Sequence, residues 1–252
     1  MIKKNLFNID YLVFSSHKTA TQSLVATFTN NNLRATHGHV LRHLDFKKGD
    51  FDAYVKEYSV KNNNRLNIVT VFREPVERCI SSFFQSYGSD FIDFGHVSGI
   101  EETVLYNYNF NQLKELFLME ISGKKLRGYD ESVDILFNEL EINWREEIVN
   151  SQQYFKIIEK PCFKIYFIKF DRLINAFDET VSQLINRNEI LSIQGNISKK
   201  KWYNDIYLNF KEKIRISPEI IDNIYEDKRS LINFFYPNEF DRLKNTIKEL
   251  YQ

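Results

Sequence analysis

The sequence predicts an α/β fold, with a central parallel β-sheet flanked by helices and a helical C-terminal part. Short apolar runs rich in β-forming residues alternate with stretches of helical periodicity. Two of those runs, at 11–14 and 67–72, pass directly into a turn and then a helix, the order a parallel sheet needs. No repeat, low-complexity linker or composition break interrupts the 252 residues, which read as a single domain, 1–252.

Tyr11-Leu12-Val13-Phe14 forms the first strand, and in the helix that follows Leu24, Val25 and Phe28 share one face. Asn30-Asn31-Asn32 closes that helix. A second strand is expected over 33–40, before the polar turn Lys47-Lys48-Gly49-Asp50, and a helix over 51–58. Asn67-Ile68-Val69-Thr70-Val71-Phe72 is the clearest buried strand, and Pro75 suits the first turn of the next helix. Helix is expected over 101–121 and 132–143, and strands over 155–158 and 163–170 on either side of Pro161. Asp171 stands where it would cap a helix carrying Leu173, Ile174, Phe177, Val181, Leu184 and Ile185 at three- and four-residue spacings. The charged tail, 199–252, reads as mostly helical.

Composition narrows the function. Lys and Arg number 34 and so do Asp and Glu, a net charge of zero that argues against an extended grip on nucleic acid. With 43% hydrophobic and 15% aromatic residues the chain has material for a sizeable core. Eight glycines, none before Gly38, offer neither a G-x-G-x-x-G fingerprint nor a Walker A loop, so a phosphate loop near the start must be built from other residues. Cys79 and Cys162 give neither a disulfide framework nor a C-x-x-C metal spacing. The apolar stretch 11–14 is too short for the core of a signal peptide, and no later run approaches a membrane span. A soluble, cytoplasmic protein is the expectation. The sequence leaves its oligomeric state unread.

Ser15-Ser16-His17-Lys18-Thr19-Ala20-Thr21-Gln22-Ser23-Leu24 lies where a strand ends and a helix begins, the place where open α/β sheets bind ligands. Helix N–H groups there favour an anion; Lys18 adds charge, and Thr19, Thr21 and Ser23 add hydroxyls. The same residues also fit a polar helix cap with a solvated lysine. In Arg73-Glu74-Pro75-Val76-Glu77-Arg78-Cys79-Ile80-Ser81, an arginine at a strand's end is followed eight residues later by a serine early in a helix, so that fork and hydroxyl can meet on one phosphate. Arg78 either shares the face of Ser81 or pairs with Glu74 on the surface, and a capped helix with surface ion pairs accounts for the segment equally.

Thr36-His37-Gly38-His39-Val40 puts two histidines on one face of a strand, and an imidazole with a pKa near about 6.5 suits removal of a proton from a hydroxyl. His43 and His96 are further ligands for a metal, but no zinc-type spacing supports one, and plain structural histidines remain an alternative.

The first loop and R-E-P-V-E-R-C-I-S, in this order and each after a strand, resemble the 5′-phosphosulfate loop and the 3′-phosphate motif of sulfotransferases that use 3′-phosphoadenosine 5′-phosphosulfate (PAPS). The family's usual P-K-T-G-G-T-S is here His17-Lys18-Thr19-Ala20-Thr21-Gln22-Ser23, with the proline and both glycines replaced. H-G-H-V-L-R-H-L-D-F is similar to the histidine region of uronosyl 2-O-sulfotransferases. The segments 167–173, 197–203 and 224–236 carry the likeness, more weakly, across the rest of the chain.

The resemblance implies a P-loop-NTPase-like sulfotransferase fold and in-line transfer of a sulfuryl group from PAPS to a carbohydrate hydroxyl, with PAP as product and no metal. It implies His37 as base, His39 as its supporting or substrate-positioning neighbour, and Lys18 as the charge at the leaving phosphate. Cofactor contacts would come from Lys18, Thr19, Ala20, Thr21, Gln22 and Ser23, from Arg73 and Ser81, and from a basic loop at Ser198, Lys199 and Lys200, which also reads as a solvated face. The expected partner is a glycan, including one that contains uronic acid, with neither nucleic acid nor a membrane span. A nucleotide kinase using Lys18 on a γ-phosphate, and a non-catalytic glycan-binding protein on the same scaffold, are the competing readings.

Overall fold

A computed structural model describes residues 4–89, 108–122, 132–147, 149–193 and 203–252. After a 3₁₀ turn at Lys4–Asn8 come β1 (Tyr11–Phe14), α1 (Thr21–Asn30), β2 (Ala35–Gly38), a second 3₁₀ turn (Leu41–Leu44), α2 (Asp50–Asn62) and β3 (Leu66–Phe72). Next are α3 (Pro75–Ser89), α4 (Phe110–Ser122), α5 (Ser132–Glu139), β4 (Asn150–Ser151), β5 (Phe155–Glu159) and β6 (Phe163–Lys169). The chain ends with α6 (Phe170–Asn175), α7 (Phe177–Ile185), α8 (Asn204–Lys213), α9 (Pro218–Asp227), α10 (Arg229–Phe235) and α11 (Phe240–Tyr251).

These elements divide into two compact units, one of residues 1–73 and 129–195, the other of 74–128 and 196–252. The first holds a six-stranded sheet in the order β2-β1-β3-β6-β5-β4. The four strands from β2 to β6 run parallel, as expected, but β5 and β4 pair antiparallel. A link of three residues, 160–162, explains the first reversal, because a parallel neighbour needs a crossover of a dozen residues or more. β1 and most of β3 are buried throughout, which is why they read as continuous apolar runs instead of alternating ones.

On one face Tyr11, Val13, Val69, Val71 and Ile168 pack with Leu24 and Phe28 of α1 and Val181 and Leu184 of α7. On the other, Phe14 stacks on Phe51 of α2 and Phe167 meets Phe137 of α5. With β2 and β3 on opposite sides of β1, the strand order reverses at β1, and the carboxyl ends at such a reversal are where open α/β sheets place their ligands.

Three expectations change, the first being the helix over 132–143, which ends at Glu139. The stretch from 170 to 185 is two helices, broken at Ala176 (φ −142°, ψ 57°), whose carbonyl accepts from both the N–H and the hydroxyl of Thr180. Asp171 therefore lies in the first turn of α6 without capping it, and Ile174 is exposed. The second strand is only Ala35–Gly38, so His39 lies beyond it.

In the second unit Phe83 and Phe84 of α3, Phe117 of α4 and Phe210 of α8 have ring centroids 5.1–5.7 Å apart. Tyr225 donates to Glu74 at 3.0 Å, Tyr251 donates to Glu77, and Lys211 pairs with Glu77 at 2.7 Å.

Candidate functional site

Between β1 and α1 the chain has six residues in which to turn. The buried Ser15 hydroxyl donates to the Val71 carbonyl at 2.8 Å and accepts from the Val71 N–H at 3.0 Å, fastening the end of β1 to β3. Thr19, also buried, donates to the Ser16 carbonyl at 2.6 Å, and its Oγ1 lies 2.8 Å from Ser15 Oγ. Its hydroxyl is thus engaged within the loop. Lys18 (φ 66°) and Ala20 (φ 60°) both take the left-handed conformation. That costs a residue with a β-carbon roughly 1–2 kcal/mol. Left-handed residues within turns are how backbones form anion-binding concavities, and this loop runs straight into the first turn of α1. Ala20, at the N-cap of α1, makes no side-chain capping bond. Thr21 and Ser23 are buried in that first turn, and Gln22 is exposed.

β2 lies parallel to β1 with His37 opposite Val13, which brings the histidine segment beside the loop. Ring centroids are 3.8 Å apart for His17 and His39, 5.4 Å for His37 and His39, 5.7 Å for His39 and His43, and 6.2 Å for His17 and His43. The expected pair is thus part of a cluster of four imidazoles, two of them supplied by positions the strand argument did not use. The spacing of 37, 39 and 43 was visible in the sequence, but the joining of His17 to them depends on the pairing of β1 with β2.

His39 sits 2.6 Å from the Ser15 carbonyl through Nδ1. A carbonyl only accepts, so Nδ1 carries the proton and Nε2 is the basic nitrogen. Burial pushes its pKa below the ordinary value; the Ser15 carbonyl opposes that shift, and His37 and His43 add to it. His43 is also shifted down, by burial and then by Arg42 and His37, and its Nδ1 accepts from the His39 N–H at 3.4 Å. Ser132, the first residue of α5 and wholly buried, donates to the His39 carbonyl at 2.9 Å, and the Ser16 hydroxyl lies 3.4 Å from Ser132 Oγ. Nothing in the local sequence marks Ser132, because its partner is 93 residues away.

At the end of β3, Nη1 of Arg73 donates to the Lys18 carbonyl at 3.1 Å, and the guanidinium carbon stands 4.5 Å over the Phe170 ring. Loop, histidines and Arg73 all belong to the first unit. Ser81 belongs to the second, buried in α3. The surface pairing of Arg78 with Glu74 does not occur. Arg78 is fully buried, with Nη1 3.4 Å from Ser82 Oγ. The Glu74 carboxylate turns back to accept from the N–H groups of Val76 and Glu77, capping α3. Burial raises its pKa to about 7 against the pull of those bonds and of Tyr225. Ser198, Lys199 and Lys200 lie outside the described residues. Among the described residues no group of three or more His, Cys, Asp or Glu is placed to hold a metal ion, and no helix is long and apolar enough to cross a membrane.

A family model, NKWYS, described as "Putative capsular polysaccharide synthesis protein", matches residues 102–236, just over half of the chain. Lys18, His37, His39, Arg73 and Ser81 precede the matched segment; Ser198, Lys199 and Lys200 fall within it. No curated protein and no solved structure matches the chain.

Proposed function

The chain belongs to the NKWYS family, and from that premise we propose that it is a polysaccharide-biosynthetic enzyme that moves the sulfuryl group of PAPS to a hydroxyl of a carbohydrate acceptor. The observation that carries this reading is the loop of residues 15–20, strained at Lys18 and Ala20, pinned by Ser15 and Thr19, and flanked by imidazoles on one side and Arg73 on the other. A cation, helix N–H groups and a base at the end of a parallel strand are what transfer between an anionic donor and a hydroxyl requires.

The acceptor oxygen forms a bond to sulfur as the bond from sulfur to the bridging phosphate oxygen breaks, and adenosine 3′,5′-bisphosphate departs. Lys18 and the N–H groups of Thr19 to Ser23 take up the charge developing on the 5′-phosphate, as electrostatic stabilisation with no covalent intermediate. An imidazole of the His37 and His39 pair takes the hydroxyl proton. Arg73 binds the 3′-phosphate; Ser81, Ser198, Lys199 and Lys200 are assigned to the nucleotide by resemblance alone. The acceptor is a glycan, and its acidic groups suit Arg42 and the imidazoles.

Incubation with radiolabelled PAPS across a panel of acidic and neutral oligosaccharides tests the proposal. Label on at least one glycan is expected, and label on none would remove the assignment. Calorimetric titration with adenosine 3′,5′-bisphosphate and with ATP and magnesium separates sulfuryl from phosphoryl transfer, with binding of the bisphosphate alone expected.

A further inference from the structure

We propose that Ser132 is a positioning residue that holds His39 as its Nδ1–H tautomer, leaving Nε2 of His39 to accept the proton of the attacking hydroxyl. His39 lies beyond the end of β2, so no strand hydrogen bond fixes it. Two contacts do so. Nδ1 meets the Ser15 carbonyl at 2.6 Å, and the His39 carbonyl accepts from Ser132 at 2.9 Å. The first sets the tautomer, and the second fixes the backbone from which the ring is hung.

Ser132 sits at the start of α5, and Phe137 of that helix packs on Phe167 in the sheet, so the hydroxyl is anchored independently of the loop it restrains. The 3.4 Å approach of Ser16 Oγ to Ser132 Oγ joins the same strut to the phosphate-type loop. A free histidine side chain favours the proton on Nε2, so the Nδ1–H form must be imposed. The proton is thereby assigned to His39, where resemblance assigned it to His37. In transfer it moves from the acceptor oxygen to Nε2 as the oxygen–sulfur bond forms and the bisphosphate leaves. This last step rests on the sulfotransferase reading, whereas the tautomer does not.

The chain has five histidines, so nitrogen-15 histidine labelling of the intact protein at pH 8 gives a spectrum simple enough to assign, with His39→Gln identifying the His39 signals. In the wild type His39 is expected as Nδ1–H. Ser132→Ala is expected to move it to a mixture dominated by Nε2–H, and Ser132→Thr, which keeps the hydroxyl, to retain Nδ1–H. Should Ser132→Ala fail to fold, Ser132→Cys, a weaker donor of similar size, carries the same expectation as Ala. With PAPS and an acceptor, Ser132→Ala is expected to lower kcat about tenfold with KM for PAPS unchanged, and Ser132→Thr to recover most of it. An Nε2–H tautomer in the wild type, or an Nδ1–H tautomer unmoved in the Ala variant, overturns the proposal. Absence of transfer in every variant and in the wild type would instead remove the sulfotransferase reading and leave the tautomer result standing.

Discussion

Arg73 donates to the carbonyl of Lys18 at 3.1 Å, so the cation at the end of β3 is bonded to the backbone of the residue that carries the charge of the loop. Lys18 holds a left-handed conformation there, and the Phe170 ring lies 4.5 Å beneath the guanidinium, so Arg73 braces the loop as well as adding charge to it. A planar fork can bond the carbonyl and keep donors for a phosphate, which a lysine ammonium cannot do in the same geometry. Arg73→Lys is therefore expected to weaken binding of adenosine 3′,5′-bisphosphate by ten- to a hundredfold, the roughly 1.5–3 kcal/mol of a charged hydrogen bond. Lys18→Ala should lower turnover more than affinity. Calorimetry and initial rates on the two variants check this, and equal small losses in both would contradict the assigned roles.

Ala20 occupies a left-handed position where the sulfotransferase pattern has glycine. Ala20→Gly removes the steric cost of its β-carbon but gives the unfolded chain more freedom, and the first effect is the larger. A gain of about 0.5–1 kcal/mol is expected from denaturant midpoints, with bisphosphate affinity unchanged or better. A loss of stability would mean that the loop is relaxed at this residue.

Gly38 separates the two histidines at the end of β2, and a β-carbon there would come within 2.9 Å of Leu44 Cγ. Leu44 is buried in the 3₁₀ turn that carries His43, so it cannot yield without moving the cluster. Gly38→Ala should cost about 1–3 kcal/mol. Leu44→Ala should cost less in that background than in the wild type, because the two residues compete for one space. Additive losses in a double-mutant cycle would show that the turn adapts freely.

The buried carboxyl of Glu74, with a pKa raised from 4.5 to about 7, binds a proton in the folded state over a range where the unfolded chain has lost it. Its contribution is complete below pH 4.5 and declines as pH rises through 7, by up to about 3 kcal/mol. Glu74→Gln should flatten that slope. Urea midpoints between pH 5 and pH 8 on both proteins measure it, and parallel curves would contradict the burial argument.

His39 and His43 act in the opposite sense. Burial disfavours their protonation, so the stability they permit is present above pH 6.5 and is lost as pH falls. Replacing His39 with Gln should reduce the acid-side loss. An acid limb unchanged by the substitution would place the responsible groups elsewhere.

Chain order and side-chain patterning were enough to determine much of this. The runs at 11–14 and 67–72 are mostly apolar because both of their faces are covered, and such a pattern together with the following turn fixes a parallel strand leading into a helix. That Lys18, His37 and Arg73 stand at or near the carboxyl ends of parallel strands was legible for the same reason. What lies far apart in the chain was not. The hydroxyl of Ser132 on the His39 carbonyl, the close approach of the His17 and His39 rings and the Phe170 ring under Arg73 are pairings across the fold, and the burial of Arg78 follows from packing. The reversal at 160–162 is local by contrast, set by a link too short for a crossover, as is the break at Ala176, whose carbonyl is taken by Thr180. Local sequence sets which residues reach the strand ends, whereas tautomer, protonation and loop strain follow from partners that only packing of the chain supplies.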